Sequence, residues 1–488
     1  MSANLRVAVV GGGVAGLSCA HALMEAAREG SRAVDVVVYE ARDRLGGNIR
    51  TEHHGGFTID AGPDSWIATK PDAAKLARSL QLGAELIGTQ ETNRRVYIAW
   101  DGALHLMPEG LVLGIPTDVR PIALTPLFSW DAKLRMALEP LIPPRQFLGD
   151  DDESVGDFMA RRLGDQMTDR LVGPLLGGIF AGDPYAISVR AAFPQLVAAE
   201  EARGSLVRAM RASQRARAGE GGEGKARPSA FVSLRGGLGA FIDALAARVS
   251  AGARLRTSCA VRSVARAAEG SKFTLETAAG EVERFDHVAL CGPMHASAAV
   301  ARALDADLAA SLDGLMGYTS TATVFFAFRH ADVRHPLDAS GYIVPRVLGR
   351  PLLAATWVSS KWEHRAPPGH VLMRAFLGGV GNEDILRHDD AELTQIALGE
   401  LAAFTPFSAA PLFSRLYRFH RASPQPHVGH LGRVRRVREM AARWPGLHLA
   451  GSGFDGVGIP DCVRQGEAIA RAILGPAQSR AAVQTSAP

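Results

Sequence analysis

Leu5-Arg6-Val7-Ala8-Val9-Val10-Gly11-Gly12-Gly13-Val14-Ala15-Gly16 is the stretch whose reading decides the fold. An apolar run ends in a glycine-rich turn, a helix-forming tract follows from Leu17 to Arg28, and a second apolar run extends from Val34 to Glu40. Strand, turn, helix and strand in that order make a βαβ unit, the building block of a parallel sheet. Gly11, Gly13 and Gly16 fit G-x-G-x-x-G. In this context the glycines permit a tight turn and bring backbone N–H groups, with those of Gly12, Val14 and Ala15, to a pyrophosphate at the positive end of the helix. Glu40 closes the second strand, where its carboxylate is placed to accept hydrogen bonds from ribose hydroxyls. An acid at that place disfavours a 2′-phosphate, which argues against NADP.

The bulk properties agree with a large globular chain. With 488 residues and 47% hydrophobic content, two or three lobes are expected. A net charge of +4 is too small to define a nucleic-acid binder, although a small anionic substrate suits it. Cys19, Cys259, Cys291 and Cys462 are scattered without a C-x-x-C pair or a metal-ligand cluster, so no metal is expected and a reducing compartment is the simplest home. The first residues carry no export signal, and no apolar run is long enough for a spanning helix. These features read as a cytoplasmic protein, with surface attachment to a membrane left open.

Further along, a helical tract is expected from Pro71 to Leu82 and a hairpin from Arg95 to Leu106, with Asp101-Gly102 at its turn. Residues 106–146 are apolar but punctuated by Pro108, Pro116, Pro121, Pro126, Pro140, Pro143 and Pro144, which forbid one long helix. Two readings stand: short buried helices, or a hydrophobic surface that docks shallowly on lipid with Arg120, Lys133 and Arg135 near headgroups. Residues 215–229 lack periodicity and read as a loop between lobes. Strands are expected over 254–264, 272–277 and 281–290, and again over 319–328, 340–344, 352–358 and 371–377. The tail after Gly475 reads as frayed.

Two longer strings carry a resemblance. Glu40-Ala41-Arg42-Asp43-Arg44-Leu45-Gly46-Gly47, with Asn48, and then Asp60-Ala61-Gly62-Pro63-Asp64-Ser65 resemble the flavoprotein superfamily of amine oxidases, phytoene desaturases and protoporphyrinogen oxidases. The distant His448-Leu449-Ala450-Gly451-Ser452-Gly453-Phe454, leading through Val457, Gly458 and Ile459 into a helix from Asp461 to Leu474, matches the same group. The resemblance implies an α/β (mixed α+β) fold with a Rossmann-like, amine-oxidase-type domain holding FAD non-covalently. The Gly-rich turn with Glu40, the 41–48 string, the 62–65 segment, Val261 and the C-terminal segment would hold that cofactor. The last helix would point its positive end at the flavin's N1–C2=O edge.

Gly178-Ile179-Phe180-Ala181-Gly182-Asp183-Pro184, Ser188 to Pro194, Leu234 to Leu238 and Asp461-Cys462-Val463 narrow the resemblance to the protoporphyrinogen oxidase pattern, over Val7 to about Ile473. It implies a six-electron oxidation of a porphyrinogen in three two-electron rounds, with O2 reduced to peroxide each time. The flavin carries the chemistry, so no protein base is required. Ile343, Trp357 and Phe376 resemble the ring-sandwiching positions, Gly178 the position whose carbonyl faces the pyrrole N–H groups, and Arg95 the propionate holder. Arg94 competes with Arg95, because the register there shifts by one residue. The implied organisation is an FAD domain (1–92, 229–300, 440–488), a substrate domain (93–105, 301–439) and a helical, membrane-associating domain (106–228). A homodimer and hand-over to ferrochelatase are the partner relations the resemblance allows.

Rival readings keep the same turn. A coproporphyrinogen oxidase would favour a more basic pocket for two extra propionates. An amine oxidase usually places a Lys near flavin N5, whereas no Lys occurs between Lys272 and Lys361. A carotenoid desaturase would use the apolar segment, and a GDP-dissociation-inhibitor-like binding protein would need neither Glu40 nor the C-terminal flavin segment.

Overall fold

A computed structural model describes residues 4–30, 33–220, 229–267 and 272–475. At its centre is a five-stranded parallel sheet in the order Arg254–Arg256, Val34–Tyr39, Leu5–Val10, His287–Leu290, Leu447–Leu449. Val7, Val9, Val37 and Val38 are wholly buried, because helices and a second sheet cover both faces and the strands must be apolar throughout. Helices Val14–Arg28, Gly239–Ser250 and Ile459–Leu474 cover one face. The antiparallel strands Val261–Arg266, Phe273–Thr277 and Val282–Phe285, with helices Met294–Ala301, Ala306–Asp313 and His430–Ala441, share the core on the other. The first helix starts at Val14, one turn before the expected Leu17, because Gly13 is its extended N-cap (φ −79°, ψ −175°). The last helix crosses it closely: a Cβ on Gly466 would lie 2.4 Å from the Ala15 carbonyl oxygen.

A seven-stranded sheet forms the second lobe, in the order Phe413–Gln425, Gly317–Arg329, His370–Gly378, Leu352–Trp357, Gly341–Ile343, Tyr97–Trp100, Ala103–Leu106. Its register aligns Ile98, Ile343, Ala354, Phe376 and Thr323 in one cross-strand row. Side chains alternate across a strand, and Ile98, Ile343, Ala354 and Phe376 accordingly share the core of the helical lobe. The opposite face packs on helix Asp390–Phe404, which Asp389 and Glu392 close with a reciprocal capping box. That helix and the long strand Phe413–Gln425 were not anticipated from sequence.

The helical lobe is assembled from short pieces. The proline-rich stretch gives helices Val119–Leu124 and Trp130–Ala137 and a 3₁₀ turn, Glu139–Leu141. Their inner residues Ile122, Leu127, Phe128 and Met136 are buried, as the reading of short buried helices expects, while Leu124, Trp130, Leu134 and Leu141 stand out. Glu139 is wholly buried and caps helix Leu206–Glu220, accepting the Leu206 N–H at 2.9 Å and the Ser205 hydroxyl at 2.5 Å. Arg162, also wholly buried, ties Glu139 to Glu200. The loop expected over 215–229 is corrected in its first part, where that helix continues through Arg215; 221–228 and the tail beyond Gly475 lie outside the described residues. Among the described residues no helix is long and apolar enough to cross a membrane.

Candidate flavin and substrate site

Backbone approach dictates the glycine turn. A Cβ on Gly16 would lie 1.9 Å from the Gly11 carbonyl oxygen, and one on Gly12 would lie 2.6 Å from the Leu45 side chain. Gly13 differs: its nearest neighbour would be the Gly47 Cα at 4.0 Å. The two glycines therefore leave a gap beside a helix N-terminus that has no side-chain cap and no acid in its first turn. Such an end, with N–H groups unfilled, is a site for a phosphate. Glu40 is buried beneath it, with Oε2 accepting the Gly12 N–H at 2.8 Å and Oε1 the Arg42 N–H at 2.9 Å. Arg42 and Arg44 both donate to the Gly47 carbonyl, which fixes the 45–49 loop. The chain leading to Val261 is bound to the same place through Cys259 N–H on the Glu40 carbonyl at 2.9 Å.

The 60–65 segment crosses next to this loop. A Cβ on Gly62 would lie 1.9 Å from the Asn48 carbonyl oxygen, so only glycine allows the crossing. Pro63 is exposed, and Ser65 donates to Asp64 at 2.7 Å. Asp64 accepts from Lys361 at 2.8 Å and from the Trp362 indole at 2.9 Å. Burial pushes the Asp64 carboxyl up, but the Lys361 and Arg374 charges outweigh it and hold it well below the usual carboxylate range. Asp60 is bound by Arg365 at 3.0 Å, by Thr51 and by the Leu238 N–H. The Ala61 carbonyl accepts from both Thr323 and Arg374, each at 3.0 Å, which joins this segment to the seven-stranded sheet.

The C-terminal segment enters from the other side. Gly451 (φ +145°) packs so that a Cβ would lie 2.7 Å from the Gly292 carbonyl oxygen, and its N–H is held by Gln465. Gly458 starts the last helix, its N–H accepted by Asp461 at 3.2 Å. Val457 joins the apolar cluster of Phe376, Ile343 and Leu175. Helix Gly173–Phe180 faces this row and is pinned at its end, where Gln425 donates to the Phe180 carbonyl and Val380 to that of Ala181. Gly178 is exposed, with nothing within 4 Å of a Cβ placed on it. The glycine turn, the 45–49 loop and the 60–65 segment thus adjoin one another, and Thr323 ties the last of them to the Ile343–Phe376 row, in whose apolar cluster Val457 lies.

The family model described as flavin containing amine oxidoreductase matches residues 14–474. The chain belongs to this family. A coproporphyrinogen III oxidase of Bacillus subtilis is 32% identical over 463 residues, 95% of this chain and 96% of that one. The chloroplastic protoporphyrinogen oxidase 1 of Arabidopsis thaliana is 29% identical over 478 residues, 93% of this chain and 85% of that one. A crystal structure from Exiguobacterium sp., whose protein carries a provisional protoporphyrinogen oxidase name, superposes with a TM-score of 0.84 at 32% identity, covering 97% of this chain and 99% of that one. The chain is a flavin-dependent oxidoreductase with the mixed α/β fold of that family.

Two expected substrate positions are engaged within the fold, and one of them lies on the wrong face of the sheet. Trp357 lies on the opposite face of the sheet from Ile343 and Phe376, wholly buried among Tyr97, His335 and Tyr342, its indole N–H on Thr405 at 3.2 Å. The residue in register with Ile343 and Phe376 is Ala354; strand alternation assigns Trp357 to the other side. Arg95 is engaged by Asp338 at 2.7 Å, beside Tyr97. Arg94 forms an ion pair with Glu91 at 3.5 Å. Sequence reasoning missed Arg374 and Lys361. The signal for the first was available: a single arginine inside Val371-Leu372-Met373-Arg374-Ala375-Phe376-Leu377.

Proposed function

We propose that the glycine turn, the 45–49 loop, the 62–65 segment, Val457 and the Ile343–Phe376 row border a cleft in which the chain binds FAD non-covalently and oxidises protoporphyrinogen IX to protoporphyrin IX in tetrapyrrole biosynthesis, with O2 as electron acceptor. The observation that carries this reading is the apolar row of Ile343, Ala354 and Phe376, which meets Val457 of the flavin segment within one cluster. A flat tetrapyrrole suits such walls. When bound, the flavin supplies hydride acceptance and reoxidation by O2 to H2O2. The protein's own part is to hold the pyrophosphate at the Gly13 turn, to hold the macrocycle between the sheet row and helix Gly173–Phe180, and to exclude water.

Protoporphyrinogen, with two propionates, is proposed over the tetracarboxylate coproporphyrinogen on the resemblance carried by the 178–184 and 188–194 segments. The coproporphyrinogen reading is favoured by the names of the bacterial relatives. Purified protein incubated with each porphyrinogen under air, followed by porphyrin fluorescence, separates them. Faster turnover of coproporphyrinogen reverses the choice, and inertness with both removes the reading.

The exposed apolar side chains of the helical lobe support peripheral membrane attachment. Leu124 is 85% exposed, Trp130 75% and Leu141 73%, and Lys133 stacks on Trp130 at 4.5 Å. An apolar face bordered by a cation is the form of an interfacial anchor. Co-sedimentation with anionic vesicles that is lost in Trp130→Glu supports this attachment; absence of binding by the unaltered protein removes it.

A further inference from the structure

Arg374 is 6% exposed in the strand His370–Gly378. Its guanidinium stands 4.1 Å from the Phe376 ring centroid and 5.3 Å from that of Phe325. Among the described residues its one hydrogen bond is Nη2 to the Ala61 carbonyl at 3.0 Å, and Nε is buried without a partner. Most of the N–H donors of this side chain are therefore idle. A buried guanidinium left so poorly satisfied is costly unless something else uses it.

The surrounding charges sharpen the point. Asp60 is taken by Arg365 and Asp64 by Lys361. Two carboxylates against three cations leave one positive charge in excess, and among the described residues Arg374 is the cation of the three that forms no ion pair with either carboxylate. Burial lowers its pKa to about 10, a sign that the charge is held there at a cost. Its place is also specific. It touches Ala61, next to the 62–65 cofactor segment, and it lies under Phe376, the wall of the cleft.

We infer that Arg374 supplies the positive charge that stabilises a bound flavin in its reduced state. The inference rests on the flavin reading above. Hydride transfer delivers two electrons and one proton to a neutral isoalloxazine, and the product carries one negative charge unless a further proton arrives. A fixed cation in a site shielded from water favours that product without reorganisation at the moment of transfer. A substrate propionate could use the same donors, and the measurements below distinguish the two.

The test compares the unaltered protein with Arg374→Met and Arg374→Lys. The reduction potential is measured by anaerobic dye-coupled titration and the affinity of the oxidised flavin for sulfite by absorbance. Where a variant releases the cofactor, the dissociation constants of oxidised and reduced FAD are measured separately on apoprotein. Arg374→Met is expected to weaken sulfite binding at least tenfold and to bind reduced FAD at least tenfold less well relative to oxidised FAD, a fall of about 30 mV for a two-electron couple. Arg374→Lys is expected to restore most of both. Unchanged potential and sulfite affinity, or equal weakening of both redox states, overturns the inference. So does a rise in KM for the porphyrinogen with the potential unmoved, which assigns Arg374 to a propionate. A yellow, active unaltered protein upholds the flavin reading whichever way Arg374 falls.

Discussion

One carboxylate, that of Glu40, holds the backbone at two points of the cofactor turn: Oε2 takes the Gly12 N–H at 2.8 Å and Oε1 the Arg42 N–H at 2.9 Å. Glu40 therefore braces the glycine loop in addition to offering lone pairs to a ribose. Glu40→Gln would turn an amide N–H₂ toward one of these N–H groups. The lost charge-assisted bond is worth about 1–3 kcal/mol, so the dissociation constant for FAD is expected to rise roughly tenfold or more in a fluorescence titration of apoprotein. An unchanged constant contradicts the bracing role.

Gly13 and Gly16 should fail in different ways. A side chain at Gly13 has room, with 4.0 Å to the Gly47 Cα, so Gly13→Asp is expected to fold and to lose FAD by repelling phosphate. At Gly16 a Cβ meets the Gly11 carbonyl oxygen at 1.9 Å, so Gly16→Ala should reduce soluble, folded protein itself. Circular dichroism together with flavin absorbance distinguishes the outcomes, and a yellow Gly13→Asp protein would remove phosphate from that gap.

The two faces of the seven-stranded sheet predict different phenotypes. Phe376→Ala and Ile343→Ala are expected to raise KM for the porphyrinogen several-fold. Trp357→Ala is expected to cost about 3–5 kcal/mol of stability by opening a cavity, with KM little changed in the folded fraction. Equal kinetic damage from Trp357→Phe, which keeps most of the volume, would put that residue back in the cleft.

Arg162 is wholly buried between Glu139 and Glu200. Arg162→Met leaves the buried Glu139 without its cation, while Glu200 keeps Arg161 at 2.7 Å, and breaking a buried pair costs about 3–5 kcal/mol. The thermal midpoint of the helical lobe, followed by circular dichroism, is expected to drop by several degrees, with flavin loss following rather than preceding it. A midpoint that does not move would show the pair to be dispensable.

Stability should also fall in mild acid. His448 stacks on His287 with ring centroids 5.4 Å apart, and burial, then the neighbouring His287 and Lys272 charges, push its imidazole down to about 4. An unfolded histidine takes its proton near pH 6.5. Protonation thus favours the unfolded chain between those values: stability is complete above about pH 6.5 and declines as pH falls toward 4. Unfolding midpoints across this range should decline less in His448→Gln, and identical slopes would exclude His448 as the cause.

Much of the nucleotide lobe was legible in the chain, because its determinants are local. The strands Leu5–Val10 and Val34–Tyr39 appear where their patterns place them, as does, in the second lobe, the hairpin around Asp101-Gly102. Gly11 (φ +114°) and Gly16 are glycines for reasons a turn and a close helix impose nearby. The substrate side was less legible. A cross-strand row depends on register among strands far apart in sequence, and a shift of one residue exchanges the two faces; that is how Trp357 was assigned to the cleft. Arg95 was assigned by type, while its partner Asp338 lies far along the chain.

By itself, then, the sequence determined a flavoprotein-like nucleotide fold and the segments that meet at its cofactor, since glycine spacing and apolar runs act within a few residues of themselves. Only the tertiary structure decided which side chains face the cleft and how their charges balance. The surplus cation at Arg374 exists because Asp60, Asp64, Lys361 and Arg365 converge from separate segments, and no local pattern records that sum.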